Sequence, residues 1–115
     1  MIHSESLKGV CPILPTPFDE NNHVDEESLR RVVRFMLEAK VTGIALFGNA
    51  SEAFALTQEE KEQIAGVVAE ETAGAVPLVF GAGGTSTETA ISSCHWAESA
   101  GADVLMIMPP YMIKP

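Results

Sequence analysis

The chain has 115 residues, of which 46% are hydrophobic and 20% charged, a composition typical of a folded globular domain. Its formal net charge of −9 disfavours nucleic acid as a partner, because domains that bind nucleic acid usually carry basic patches. No apolar run approaches the roughly 18–20 residues that cross a bilayer, and no signal-peptide pattern opens the chain, so we expect a cytoplasmic protein without membrane contact.

The first predicted elements are a strand and a helix. An apolar run at residues 10–14 predicts the strand. The helix follows Asp25, a typical N-cap residue, and ends before Gly43. Its apolar stripe has the spacing i, i+3, i+4, i+7 and i+8 of one helix face, formed by Leu29, Val32, Val33, Met36 and Leu37.

A second helix lies between two further predicted strands. Apolar runs at residues 43–47 and 77–80 have the length of strands. The helix begins at Thr57, where Thr57-x-x-Glu60 forms a capping box, and it ends near Thr72.

A third helix and a fourth strand complete the pattern. The helix follows another possible capping box, Thr85-x-x-Glu88, and ends at Gly101. A final apolar run at residues 103–108 predicts the strand. The helix residues that we expect to face inward are Ala90, Ile91, Cys94 and Ala97.

All four predicted strands lack polar alternation, which is typical of strands covered on both faces in a parallel sheet. The order β-α-β-α-β-α-β, with right-handed crossovers, predicts a parallel α/β unit. Such a sheet has two open edges, and the chain ends inside a loop. We therefore expect residues 1–115 to be the N-terminal part of a single larger domain, about its first half. A small flavodoxin-like domain is the alternative.

The cysteines and histidines indicate neither a disulfide framework nor a metal site. Cys11 and Cys94 are too few and too far apart for a disulfide scaffold, and we expect both to be reduced thiols in the core. His3, His23 and His95 have no metal-ligand spacing with one another or with the cysteines. We assign no metal and no cofactor.

Ligands of parallel α/β folds bind at the carboxyl ends of the strands, so the loops that follow the strands are the candidate sites. The glycine-rich loop 81–86 resembles a dinucleotide-binding fingerprint. However, Ser86 stands where the third glycine should be, and Asp103 precedes its strand instead of following it. We expect these glycines to permit a close passage of strand and helix instead.

The loop Gly48-Asn49-Ala50-Ser51-Glu52 is the stronger candidate. Its Asn-Ala-Ser triplet fits a glycosylation acceptor, but that modification belongs to exported chains. Small residues after a strand can direct consecutive N–H groups into a nest that binds a carboxylate or phosphate, and the Asn49 amide and Ser51 hydroxyl can add donors. We expect Glu52 to accept backbone N–H bonds and fix the loop. An ordinary turn is the alternative.

Tyr111 follows two prolines at the end of the fourth predicted strand. A tyrosine in this position is either a half-buried ring with a hydrated hydroxyl or a donor to a substrate.

In order and spacing, these segments resemble the dihydrodipicolinate synthase / N-acetylneuraminate lyase family over nearly the whole chain. The matching motifs are Leu14-Pro15-Thr16-Pro17-Phe18, Gly48-x-x-x-Glu52, Leu56-Thr57-x-x-Glu60, Pro77-Leu78-Val79-x-Gly81-x-Gly83 and Pro109-Pro110-Tyr111-x-x-Lys114-Pro115. The resemblance implies a (β/α)8 TIM barrel, of which this chain covers about the first four strands and three helices. It also implies a homo-oligomer, usually a homotetramer.

The resemblance further implies a Schiff base between a lysine and pyruvate or another 2-oxo acid, whose protonated imine stabilises an adjacent carbanion. The substrate-binding residues carried over from the family are Asn49, Ala50, Ser51 and Tyr111. The lysine lies on the sixth strand in the family, so we expect it beyond Pro115 and expect no catalytic residue within this chain.

Departures from the family pattern at two places bear on the reaction. The family loop usually reads Gly-Thr-Thr-Gly-Glu or Gly-Ser-Thr-Gly-Glu, and here Asn49, Ala50 and Ser51 replace its middle residues. Met112 replaces the second of two adjacent tyrosines. We expect a dihydrodipicolinate synthase-like aldolase or lyase with an altered carboxylate loop, and the lack of a transferable hydroxyl at Asn49 and Met112 disfavours dihydrodipicolinate synthesis itself. A non-catalytic relative that binds a small acid, or an inactive truncated fragment, is the alternative.

Overall fold

The computed structural model describes residues 7–110, in which helices alternate with parallel strands. In chain order the elements are α1 (Glu26–Glu38), β1 (Ile44–Leu46), α2 (Gln58–Thr72), β2 (Leu78–Gly81), α3 (Thr87–Ser99) and β3 (Val104–Met106). Two short 3₁₀ helices, Asn49–Ser51 and Ala53–Ala55, connect β1 to α2. None of the helices in this range has the length and apolar character needed to cross a membrane.

The sheet has the order β1-β2-β3, and both pairings are parallel. Ala45 of β1 lies opposite Val79 of β2, which in turn lies opposite Val104 of β3. The predicted parallel α/β unit is confirmed for these strands, and the carboxyl ends of all three lie at one edge of the sheet.

The predicted strand at residues 10–14 is not a regular strand. It runs parallel to β1 and forms one bridge, between Ile13 and Ala45, in which the N–H of Leu14 donates to the carbonyl of Ala45 at 2.7 Å. Toward the amino-terminal end of the segment, the next hydrogen bond to β1 would need a backbone N–H at position 12, which proline lacks. The segment therefore occupies the place of a fourth strand with only part of its hydrogen bonds.

Caps define where the helices begin. Asp25 accepts the N–H of Ser28 at 3.0 Å, and the predicted capping box of α2 is present. The box predicted at Thr85-x-x-Glu88 is wrong by one residue. Ser86 caps α3, and its hydroxyl accepts the N–H of Thr89 at 3.2 Å while the Thr89 hydroxyl accepts the N–H of Ser86 at 3.0 Å. A threonine hydroxyl can thus close a box in the way that a glutamate does.

The core lies between the sheet and the helices, mainly α1 and α2. Its largest fully buried side chains are Leu14, Leu29, Val33, Ile44, Leu46, Val68, Thr72 and Phe80. In α3, Ala97 is buried as predicted, but Ile91 is 52% exposed, because it lines an open groove beside Ile107 and Met108 that no described residue fills. The expectation of two core thiols is wrong for Cys11, which is exposed, while Cys94 is half-buried; both are free.

Candidate functional site

The loops after β1 and β2 meet at the carboxyl edge of the sheet. Gly81 ends β2 directly against the carbonyl of Phe47, and an ideal Cβ at position 81 would lie 2.1 Å from that oxygen. At Gly84 a Cβ would lie 2.5 Å from the Thr89 hydroxyl oxygen and 2.6 Å from the Ala90 nitrogen. The expected close passage of strand and helix is therefore confirmed at Gly84, and Gly81 adds a contact between the two loops.

The candidate loop forms a tight turn that leaves two N–H groups free. Ser51 donates its N–H to the Gly48 carbonyl at 3.1 Å, and Glu52 donates to the Asn49 carbonyl at 3.0 Å. The N–H groups of Asn49 and Ala50, at the start of this 3₁₀ turn, find no acceptor among residues 7–110. Both residues are exposed, so these two consecutive donors lie in an exposed turn at the end of β1.

Ser51 faces inward. It is 2% exposed, and its hydroxyl donates to the Leu14 carbonyl at 2.5 Å. A serine hydroxyl has one proton to donate, so this proton is used inside the protein and does not serve as the extra donor that the sequence suggested. The Ser51 carbonyl in turn accepts the Thr16 hydroxyl at 2.7 Å. Sequence reasoning gave Thr16 no role, and its position between two prolines at a strand end was the available signal.

Glu52 fixes the turn through its backbone and not through its carboxylate. Its φ of +55° is left-handed, which lets the chain reverse between the two 3₁₀ helices. The side chain is exposed, and in the described part of the chain its carboxylate accepts no hydrogen bond. The expectation that this carboxylate accepts backbone N–H bonds is therefore wrong for the described residues.

An aromatic cluster of Phe47, Phe80 and Trp96 lies under the loop. The ring centroids of Phe47 and Phe80 are 5.2 Å apart with an edge-on geometry, and those of Phe47 and Trp96 are 5.6 Å apart. Phe47 is buried and has a φ of +61°, so the residue immediately before the loop is held by packing in a sparsely populated conformation. The sequence analysis missed this cluster, although two of its rings end strands.

The remaining candidate residues are placed as follows. Tyr111 lies outside the described residues, as do Met112 and Lys114. Lys8, Lys40 and Lys61 do not lie at the carboxyl end of a described strand. Within residues 7–110, the histidine, cysteine and acidic side chains form no group of three or more that could hold a metal ion.

The sequence profile of the Dihydrodipicolinate synthetase family matches residues 6–115. The chain belongs to this family. The N–H donors at the end of β1 lie within the residues that this profile matches.

Similar proteins of this family include synthases and a lyase. The chain is 37% identical over 109 residues to 4-hydroxy-tetrahydrodipicolinate synthase from Bartonella quintana, a match that covers 95% of this chain and 37% of that protein. A prophage protein of the dihydrodipicolinic acid synthase family from E. coli K12, solved in complex with pyruvate, has a TM-score of 0.86 at 28% identity over 95% of this chain and 37% of its own. N-acetylneuraminate lyase from Mycoplasma synoviae has a TM-score of 0.85 at 28% identity, covering 97% of this chain and 39% of its own.

The chain therefore spans only 37% of the length of that curated relative. Together the matches show that the chain belongs to a family of aldolases and lyases. Solved structures of that family share the fold of the described residues.

Proposed function

We propose that the protein containing this chain is a Schiff-base-forming class I aldolase or lyase acting on pyruvate or another 2-oxo acid. In this proposal the chain supplies the loop that binds the substrate carboxylate. The observation that carries it is the pair of N–H groups at Asn49 and Ala50, which have no acceptor among residues 7–110 and lie in an exposed turn at the carboxyl end of β1 in a member of the dihydrodipicolinate synthetase family. The pyruvate complex of the E. coli relative supports the choice of a 2-oxo acid.

The two N–H groups suit a carboxylate because each oxygen can accept one of them, and hydrogen bonds to an ionised acceptor are stronger than neutral ones. A carboxylate held there fixes the adjacent keto carbon. A lysine amine beyond Pro115 then adds to that carbon, water leaves, and the protonated imine withdraws electrons from the neighbouring carbon. Tyr111 is proposed as a further substrate-facing hydroxyl.

The altered loop favours lyase or aldolase chemistry over dihydrodipicolinate synthesis. The Asn49 side chain can donate and accept hydrogen bonds, but an amide does not pass a proton as a hydroxyl does. Ala50 has no hydrogen-bonding group beyond its backbone. The loop therefore keeps its backbone donors for the carboxylate and has lost side-chain hydroxyls for proton transfer.

We further propose that residues 1–115 form the N-terminal part of a single (β/α)8 barrel. Among residues 7–110, nothing pairs with the outer edges of β3 and of the segment 10–14, which supports this because in a barrel each would pair with a further strand. We also propose that the protein containing this chain is a cytoplasmic homo-oligomer, either a dimer or a tetramer.

Borohydride trapping of the full-length protein tests the Schiff base. Incubation with pyruvate and sodium borohydride should add one reduced pyruvate to a single lysine, located by peptide mass spectrometry. Lactate is the matched control, because it has the same carboxylate but no keto group to form an imine. If neither pyruvate nor a panel of other 2-oxo acids gives an adduct, the enzymatic proposal is wrong.

The alternative is a non-catalytic relative that binds a small acid, and the loss of both loop hydroxyls at Asn49 and Ala50 favours it. Calorimetric titration with pyruvate and lactate distinguishes the two. Binding of both acids without any trapped adduct would support the alternative.

A further inference from the structure

The candidate loop is tied to the segment before it by two crossed hydrogen bonds. Ser51 donates its hydroxyl to the Leu14 carbonyl at 2.5 Å, and its own carbonyl accepts the Thr16 hydroxyl at 2.7 Å. The bonded residues are 37 and 35 positions apart in the chain. We call this pair of bonds the Ser51–Thr16 clamp.

The clamp lies in a place where the backbone alone holds the segment weakly. The segment 10–14 has one bridge to β1, and Pro12 removes the next one. Leu14 is 2% exposed, so its carbonyl needs a donor, and the Ser51 hydroxyl supplies it in the buried interior. The clamp therefore connects the segment 10–14 to the candidate loop beyond the point where the backbone hydrogen bonds to β1 end.

Thr16, one of the two residues of the clamp, belongs to a segment that is bonded to the start of α1. Thr16 lies between Pro15 and Pro17, whose rings restrict the backbone on both sides. The Pro17 carbonyl accepts the N–H of Asp25, the N-cap of α1, at 3.0 Å. The hydroxyl that holds the loop thus belongs to a segment that is itself fixed at a helix start.

We infer that Ser51 and Thr16 are positioning residues for the substrate carboxylate. By holding the turn, the clamp fixes the directions of the Asn49 and Ala50 N–H groups before a ligand arrives, which lowers the ordering cost of binding. This inference rests on the proposed function in that the ligand is the carboxylate of a 2-oxo acid. Both residues act through the turn in this inference, because the Ser51 hydroxyl and carbonyl and the Thr16 hydroxyl are engaged with one another or with Leu14 inside the protein.

Substrate kinetics of the full-length protein test the inference. Ser51→Ala and Thr16→Val each remove one bond and should raise KM for the 2-oxo acid about tenfold, with kcat changed less than about twofold. Thr16→Ser keeps the hydroxyl and should restore the wild-type KM. The double variant should show about the same KM as either single variant, because the two bonds act on one turn.

Thr42→Val is the matched control. The Thr42 hydroxyl donates to the Val10 carbonyl at 3.1 Å, so it ties the same segment to β1, but at the opposite, amino-terminal end of the sheet. This variant removes an exposed hydroxyl bond to the same segment away from the candidate loop, and it should leave KM unchanged. If Thr42→Val raises KM as much as Ser51→Ala does, the effect is one of general stability and the inference is overturned.

Hydrogen exchange tests the clamp independently of catalysis. The amides of residues 51 and 52 close the turn and should exchange about tenfold faster in Ser51→Ala and Thr16→Val than in wild type or Thr42→Val. Unchanged exchange in the clamp variants, or a loss of kcat with constant KM, would overturn the inference. A wild-type protein that forms no imine with any 2-oxo acid would overturn the proposed function instead, while the exchange experiment would still decide whether the clamp holds the turn.

Discussion

Gly81 and Phe47 approach each other so closely that position 81 has no room for a side chain. An ideal Cβ there would lie 2.1 Å from the Phe47 carbonyl oxygen and 2.8 Å from its carbonyl carbon. Both atoms belong to the backbone that leads into the candidate loop, so they cannot move aside as the end of a flexible side chain would.

Gly81→Ala should therefore destabilise the protein by about 2 kcal/mol or more, the range expected when a core is overpacked. Gly66→Ala is the control, because a Cβ at position 66 of α2 meets nothing within 4 Å and alanine is the better helix former by about 1 kcal/mol. Urea unfolding measures both. An unfolding midpoint of Gly81→Ala equal to that of wild type would contradict the contact.

The loop's backbone donors can be removed one at a time. Asn49→Pro deletes the N–H of residue 49, and proline fits there because it is the first residue of the 3₁₀ turn and follows the extended Gly48. Asn49→Ala is the matched control, since it loses the side chain but keeps the N–H. We expect Asn49→Pro to bind pyruvate about tenfold more weakly than Asn49→Ala, measured by calorimetry. Equal affinity in the two variants would show that this N–H does not bind the ligand.

The start of α3 can be located by its caps. Ser86→Ala should cost about 1 kcal/mol of stability, because it removes the hydroxyl that accepts the N–H of Thr89. Thr85→Ala should change stability by less than about 0.5 kcal/mol, as expected for an exposed residue outside the cap. Thermal unfolding measures the stability of both variants. A larger loss of stability in Thr85→Ala than in Ser86→Ala would favour the capping box at Thr85 that the sequence suggested.

An ion-pair cluster joins α1 to α2 and makes stability depend on pH. Glu71 accepts hydrogen bonds from Arg34 and, at 3.2 Å, from Arg30, and these partners hold the pKa of its carboxyl below the ordinary value. A carboxyl with a lowered pKa in the folded state stabilises the protein above its unfolded pKa, roughly 4.3, and this contribution is lost as the pH falls through the folded pKa.

Wild type should therefore lose more thermal stability than Glu71→Gln between neutral pH and about pH 3. The Tm difference between the two proteins should shrink toward acid and also in high salt, which screens exposed charges. Glu62→Gln is the control, because the Glu62 carboxylate accepts its hydrogen bond from the neutral Gln58 amide. Parallel Tm curves for wild type and Glu71→Gln would rule out the linkage.

The sequence predicted the elements well where local signals decide them. Asp25 and Thr57 cap their helices as expected, and the apolar runs mark the three strands of the sheet. The prediction failed where contacts between distant parts of the chain decide the structure. Pro12 interrupts a ladder whose partner is some thirty residues away, and Ile91 lies over a groove that the described residues leave open.

The position of the candidate loop in the fold was predictable, but its internal geometry was not. The strand-end rule places the candidate loop after β1 from the order of elements alone. By contrast, the roles of Ser51 and Thr16 depend on two loops meeting in space, and a serine in a turn carries no local sign of the carbonyl it will contact. Glu52 is a similar case. Its residue type suggested a carboxylate that accepts backbone N–H groups, whereas its contribution to the turn is its left-handed backbone conformation.

The aromatic cluster beneath the loop supplies an optical signal. Trp96 is the one tryptophan of this chain, and its ring centroid lies 5.6 Å from that of Phe47, the residue that leads directly into Gly48 and Asn49. A ligand that draws the turn inward would change the packing around the indole and hence its emission. We therefore expect ligand binding at the candidate loop to change the emission of Trp96, a signal that needs no label or coupled assay.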